Sequence, residues 1–282
     1  IVDQNQRRQM ILEGALDISR EVSGKPFEDD SLLDEVTCLC EHPSPFQGHF
    51  NEDYLKLPKE VLITVMRHHQ RYFPVLDSKG NVLPMFVAIR DGSPDIGMDN
   101  VRKGNEWVLR ARLEDASFFF SQDLKTPLQD RIDELKGVYF LRGAGTLYEK
   151  TQRLADISAY LVKSLGSDEE MAEAAIRAAR LCKGDLVTSL VRELPELEGV
   201  MGGYYAAAHG ESQEVSKAIS QHYLPRGTGG SLPDKGASSI VALADKIDTL
   251  SAAFLLGLEV SGSQDPLGLR RAASGAVGII LS

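Results

Sequence analysis

Apolar residues recur at helical spacing from Asn5 to Ser19, with Met10, Leu12, Leu16 and Ile18 in the run and Gly24-Lys25-Pro26 as its stop. Leu32 to Cys40 reads as a second helix, and Leu57-Pro58-Lys59-Glu60 opens a third, with proline where a helix has no use for an amide proton. Tyr72 to Leu76 and Val82 to Arg90 are strand-like, and the turn cluster Asp77-Ser78-Lys79-Gly80-Asn81 predicts that they form a β-hairpin. The pattern turns helical again from Asn100 to about Ser121, and Thr126-Pro127 is the best domain boundary. Beyond it no strand pattern is found. Helices are predicted over Thr146 to Leu165, closed by Gly166; from a capping box at Ser167-Asp168-Glu169-Glu170 to Leu190 or beyond; and over Leu197 to Ala208, Gln213 to Gln221, Ser238 to Gly257 and Leu267 to Ile280. Pro225 to Gly236 reads as an aperiodic Gly-rich loop. The expected fold class is α+β, with a mixed α/β module over 1–125 followed by an all-helical domain over 126–282.

A chain of 282 residues favours two cores. The longest apolar run, Leu250 to Leu258, is half of what a membrane helix needs, so no membrane partner is expected. Cys38, Cys40 and Cys182 cannot build a disulfide framework, which points to a reducing cytoplasm. Cys38-x-Cys40-x-His42 lacks a second ligand pair and reads better as small side chains of a helix. The chain opens without Met and ends inside an apolar pattern, as a fragment would.

Charge is uneven. The formal net is −10, yet residues 61–125 carry 9 Lys/Arg against 8 Asp/Glu, whereas residues 1–60 carry 6 against 13. An acidic chain does not bind nucleic acid indiscriminately, so any such contact has to be a local stripe of cations. One candidate is Lys103, Trp107 and Arg110, which fall within roughly 60° of one another on a helix and would combine phosphate contact with stacking. Another is Arg67-His68-His69-Gln70-Arg71-Tyr72-Phe73, a mixture suited to RNA backbone and exposed bases or, equally, to a solvated helix end with an aromatic in the core. In the helical part Asp185 is expected to point inward, beside Ala178, Cys182 and Ser189 on one helix face, and at least one of Asp245 and Asp248 is expected to be buried on a helix apolar nearly all round. A buried carboxylate has to be paired, hydrogen-bonded or metal-bound, and the sequence leaves all three open. Gly143-Ala144-Gly145-Thr146 lacks the rest of a phosphate loop and reads as a tight turn.

Several strings together carry a family resemblance: Met66-x-x-His69-Gln70-Arg71-Tyr72-Phe73, Lys103-Gly104-Asn105-Glu106 leading to Ala111-Arg112-Leu113, Leu181-Cys182-Lys183-x-Asp185-Leu186, His222-Tyr223-Leu224-Pro225-Arg226, Ala242-Leu243-Ala244-Asp245-Lys246-Ile247-Asp248 and Asp265-Pro266-x-x-Leu269-Arg270-Arg271. The ordered set resembles the β subunit of the bacterial two-subunit glycyl-tRNA synthetase. The resemblance implies a B3/B4-like module, of the kind also seen in phenylalanyl-tRNA synthetase, followed by a degenerate HD-type domain. It implies a chain that binds and positions tRNA(Gly), while a separate α subunit, in an α2β2 assembly, makes glycyl-adenylate from glycine and ATP. Catalytic residues, metal and cofactor are then expected to be absent from this chain, with ATP and Mg on the partner. The residues that would hold tRNA are Arg67, His69, Arg71, Lys103, Arg110 and Arg112 in the first module and Arg226, Arg270 and Arg271 in the second. The degenerate HD site would comprise Asp185, His222 and Asp245; its doublet reads Gly184-Asp185 where an HD enzyme has His-Asp. Gln264 stands where the family usually carries Lys, and Gly278 near a usual Arg.

Three alternatives are set beside this one. The first is a metal-dependent HD-type phosphohydrolase using Asp185, His222 and Asp245 around a metal-activated water. Editing of mischarged tRNA is hard to motivate, because a pocket for the smallest amino acid already excludes larger ones. An assembly surface for the α subunit would draw on the acidic first 60 residues.

Overall fold

A computed structural model describes all residues except 94–96, 228, 259–264 and 266. Gln264 and Pro266, and Thr228 of the Gly-rich loop, therefore lie outside the described residues. The chain divides into two compact units, Ile1–Ser121 and Gln122–Ser282.

The first unit is α+β. Helix α1 (Gln4–Glu21) starts where the Asp3 carboxylate accepts from Asn5 and Gln6 N–H, and α2 (Asp30–Leu39) starts on Asp29 in the same way. Each such cap is worth about 1 kcal/mol. Four antiparallel strands follow the order β1 (Lys25–Pro26), β3 (Phe73–Leu76), β4 (Val82–Asp91), β2 (Pro43–His49). Period-2 alternation sends Met85 and Val87 of β4, with Phe73 and Val75 of β3, against Ile11 and Ala15 of α1 and Leu32, Leu33 and Val36 of α2. Phe86 faces the other way, stacks on Tyr72 at 4.4 Å between ring centroids and lies over Gly48 of β2, where a Cβ would come within 2.3 Å of the ring. Pro43 and Pro45 hide β2 from a sequence reading, since proline is depleted in strands; here the strand pairs only with β4, at the sheet edge where proline is tolerated. Helix α3 (Lys59–Thr64) passes into a π-helical turn, Val65–His69, and Arg71 then adopts φ +55°. The long helix α4 (Met98–Asp123) buries Leu109 and Leu113.

The second unit is nearly all helix: α5 (Leu128–Arg131), α6 (Leu147–Leu165), α7 (Glu169–Leu181), α8 (Ser189–Glu193), α9 (Val200–Ala208), α10 (Gln213–Gln221), α11 (Ala237–Leu255) and α12 (Leu269–Leu281). Two expectations need correction. A short ladder, β5 (Tyr139–Leu141) with β6 (Gly145–Thr146), stands where no strand was expected; its two-stranded pairing is too brief to leave a periodicity. The Gly143–Thr146 segment is indeed its turn, and Thr146 forms the capping box of α6 with Glu149. Nor does the helix after Asp168 run to Leu190. It ends at Leu181 and passes through a 3₁₀ turn, Gly184–Val187, before α8. The break is stabilised from afar, because Asp123 accepts the otherwise unpaired N–H groups of Ser189 (3.0 Å) and Leu190 (2.9 Å), the Tyr205 hydroxyl and Arg131.

Candidate functional site

On the first unit, one exposed face of α4 carries Lys103, Trp107 and Arg110 together. With His49, Phe50, Asn51 and Glu106 they line a shallow recess of about 390 Å³. Trp107 is 64% exposed, unusual for so large an apolar surface, and so presents its ring to solvent. Arg110 pairs only loosely with Glu114, at 3.8 Å between two exposed side chains, which leaves its guanidinium available at little cost. Arg112 is exposed on the same helix.

The basic string Arg67–Phe73 is less available. Arg67 is turned into the unit, ion-paired with the nearly buried Asp29 and placed 5.5 Å over the Phe27 ring, so that its charge holds the start of α2. Arg71 donates to Glu35 (2.9 Å) and to the His68 carbonyl (2.7 Å) but stays partly exposed. His69 is half-buried on the π turn. Tyr72 is in the core, its hydroxyl donating to Asn105 at 2.5 Å, and burial pushes its pKa up to about 12. Cys38 is exposed and Cys40 buried, and no metal-holding group of His, Cys, Asp and Glu side chains occurs among the described residues.

In the second unit His222 and Asp245 meet lysines, and Asp185 meets backbone amides, rather than one another. Asp185 is fully buried, as expected, although from the 3₁₀ turn and not from a helix face. Its Oδ2 accepts from Gly199 N–H (2.6 Å) and Gly202 N–H (2.9 Å). Both glycines are required: Gly199 sits at φ +78°, and a Cβ at Gly202 would lie 3.1 Å from that oxygen and 2.8 Å from Ile219. Burial, opposed by the two amide bonds, pushes the Asp185 carboxyl up to about 6. His222 Nδ1 meets the Ile219 carbonyl at 2.6 Å, and its Nε2 lies 2.9 Å from Lys183 Nζ. Burial first, then the Lys183 charge, pushes His222 well below its ordinary pKa, so its ring is neutral and Nε2 accepts from the ammonium. Asp245 Oδ1 faces two ammonium groups, Lys183 at 3.0 Å and Lys150 at 3.1 Å. Burial works to raise this carboxyl, but the two cations outweigh it and hold it well below the usual carboxylate range. Lys150 continues to Asp248 at 2.9 Å, and Arg153 closes the chain of charges on Asp248 Oδ1 at 2.5 Å.

Of the lone pairs an HD enzyme would offer to metal, those of His222 and Asp245 here meet lysine ammonium groups, and Asp185 Oδ2 meets two backbone amides. Imidazole and carboxylate donors bind a cation only when free of other cations, so the donor set does not fit the phosphohydrolase alternative. Lys150 and Lys183 escaped the sequence reading although Lys150 carries a signal, standing on the apolar face of α6 between Leu147 and Leu154. Of the predicted cations of this unit, Arg226 donates to the Glu198 carbonyl at 2.6 Å and lies 5.4 Å from the Tyr223 ring centre, while Arg270 and Arg271 are exposed on the first turn of α12. Arg226 and Arg271 line one cleft; Arg270 does not.

Comparison with known proteins bears on both units at once. Residues 1–282 match the family described as glycyl-tRNA synthetase beta subunit. The chain is 48% identical over 281 residues to the glycine–tRNA ligase beta subunit of Halothermothrix orenii, covering 100% of this chain and 41% of that protein. It is 46% identical to that of Moorella thermoacetica (99% and 40%) and 43% identical to that of Bacillus subtilis (100% and 41%). The chain belongs to the glycyl-tRNA synthetase beta subunit family, and it spans about two fifths of the length of these relatives.

Proposed function

We propose that this chain binds and positions tRNA(Gly) for glycylation, and that the adenylate-forming chemistry, with ATP, Mg and glycine, belongs to an α subunit with which it assembles as α2β2 in the cytoplasm. Family membership supports the setting. The observation that carries the positioning role is the recess on α4, where an exposed indole stands between Lys103 and Arg110. Cations fix an RNA backbone and an aromatic face holds an unstacked base, while neither activates a nucleophile. On this reading the second unit is an HD-type scaffold in which Lys150 and Lys183 tie up Asp245 and His222, and the Gly199 and Gly202 amides hold Asp185.

In glycylation assays reconstituted with the α subunit, Lys103→Ala/Arg110→Ala is expected to raise the KM for tRNA several-fold and leave kcat nearly unchanged. A fall in kcat at unchanged KM would assign these residues to chemistry instead, and unaltered kinetics would remove them from tRNA contact.

A further inference from the structure

A cleft of about 570 Å³ opens in the second unit beside the buried lysine network. Lys150, Lys183, Lys246, Arg226 and Arg271 line it, against Asp245 and Glu198, so a chain of net −10 concentrates five cations over two carboxylates in one concave site. Lys150 and Lys183 are already spent on Asp245 and Asp248. Lys246 and Arg271 are not: among the described residues neither has a carboxylate within ion-pair distance. Lys246 is 6% exposed, and its ammonium donates only to the carbonyls of Leu224 (2.7 Å) and Tyr223 (3.5 Å). A buried ammonium without a carboxylate is costly, and burial pushes its pKa down to about 8.

The backbone of α12 makes room for both cations. A Cβ at Gly275 would lie 2.6 Å from Lys246 Cε, and one at Gly268, where φ is +64°, would lie 3.0 Å from the Arg271 guanidinium. Tyr223, packed 3.9 Å from Lys183 Nζ, adds an aromatic face to the wall. The volume exceeds what a lone phosphate fills and suits a phosphate with its nucleoside attached.

We propose that this cleft binds the phosphate of a ribonucleotide without a metal ion, with Lys246 and Arg271 as its direct ligands. The nucleotide is either a unit of an RNA strand or a free mononucleotide, and the site holds whether or not the α4 recess contacts tRNA. Three probes, AMP, inorganic pyrophosphate and a short single-stranded oligoribonucleotide, are titrated calorimetrically into the full chain at low salt. Arg271→Glu and Lys246→Met are each expected to weaken binding at least tenfold, and Lys79→Glu, an equal charge change to Arg271→Glu placed in the β3–β4 turn of the first unit, is expected to leave it unchanged. Sensitivity confined to the oligoribonucleotide identifies an RNA strand as the source; sensitivity extending to AMP identifies a free nucleotide. The proposal is overturned if no probe binds more tightly than millimolar, or if Arg271→Glu, an exposed substitution that leaves the core intact, binds all three like the parent. Arg110→Ala, tested with tRNA(Gly), reads the α4 recess separately, so either site can fail alone.

Discussion

Asp245 shows at single-residue scale how this chain handles buried charge. Two ammonium groups share one carboxylate oxygen, and removing the carboxylate leaves the buried Lys183 without an anionic partner, while Lys150 keeps Asp248. Asp245→Asn is expected to cost about 3–5 kcal/mol in urea unfolding, the usual penalty for orphaning a buried partner. His222 and Asp185 act on stability in opposite directions as pH falls. The His222 pKa is lowered on folding, so its contribution is lost as pH falls below its unfolded value near 6.5. The Asp185 pKa is raised from 3.8 to about 6, so the folded state gains a proton, and stability, as pH falls from 6 toward 4. The parent is therefore expected to lose Tm gently between pH 6.5 and 4. Asp185→Asn falls more steeply because the His222 loss is then unopposed, and His222→Gln becomes more stable on going from pH 6 to pH 4. Thermal melts at pH 7, 6, 5 and 4 check the sign; parallel curves for all three proteins would refute it.

At the scale of elements, the breaks matter more than the helices. The α7–α8 interruption exists because Asp123, at the end of α4, accepts the first amides of α8. Asp123→Ala leaves those amides and the buried Tyr205 hydroxyl without their acceptor, and a loss of about 1–3 kcal/mol is expected by chemical unfolding. Gly199-x-x-Gly202 has a comparable role, since both amides must approach Asp185 closely. Gly202→Ala forces a Cβ against Ile219 and is expected to cost about 1–3 kcal/mol, whereas Gly104→Ala on α4, where nothing lies within 4 Å, is expected to be neutral or slightly stabilising. The break was illegible because residues 169–190 keep a helical apolar spacing throughout; the acceptor that ends the helix is some 60 residues away in sequence. The β3–β4 hairpin, by contrast, was readable from alternation and its Asp77–Asn81 turn, whose Asp77 carboxylate accepts from both Lys79 and Asn81 N–H.

For the whole molecule, net charge and local charge oppose each other. A polyanion is repelled by the chain at large and attracted only where cations collect, so affinity for tRNA is expected to fall steeply with salt, with a slope set by the few phosphates contacted. Arg110→Ala should lower that slope by about one, and a salt-independent affinity would defeat the proposed role. Asp185 is buried as expected, but from a 3₁₀ turn and not from the helix face its spacing predicted. The order of the chain, a mixed module and then helices, was legible from its hydrophobic periods, as were the exposed Lys103–Trp107–Arg110 stripe, which needs only helical geometry, and the burial of at least one of Asp245 and Asp248. These depend on residues within two or three turns of one another. Tertiary structure alone decided that Arg67 would serve Asp29 rather than solvent, that β2 would form despite two prolines, and that lysines would occupy His222 and Asp245. The partners in those cases are 38, 42 or 95 residues apart, as in Arg67–Asp29, β2–β4 and Lys150–Asp245, and which charges meet in a low-dielectric interior is set by how the helices and strands pack, something periodicity does not encode.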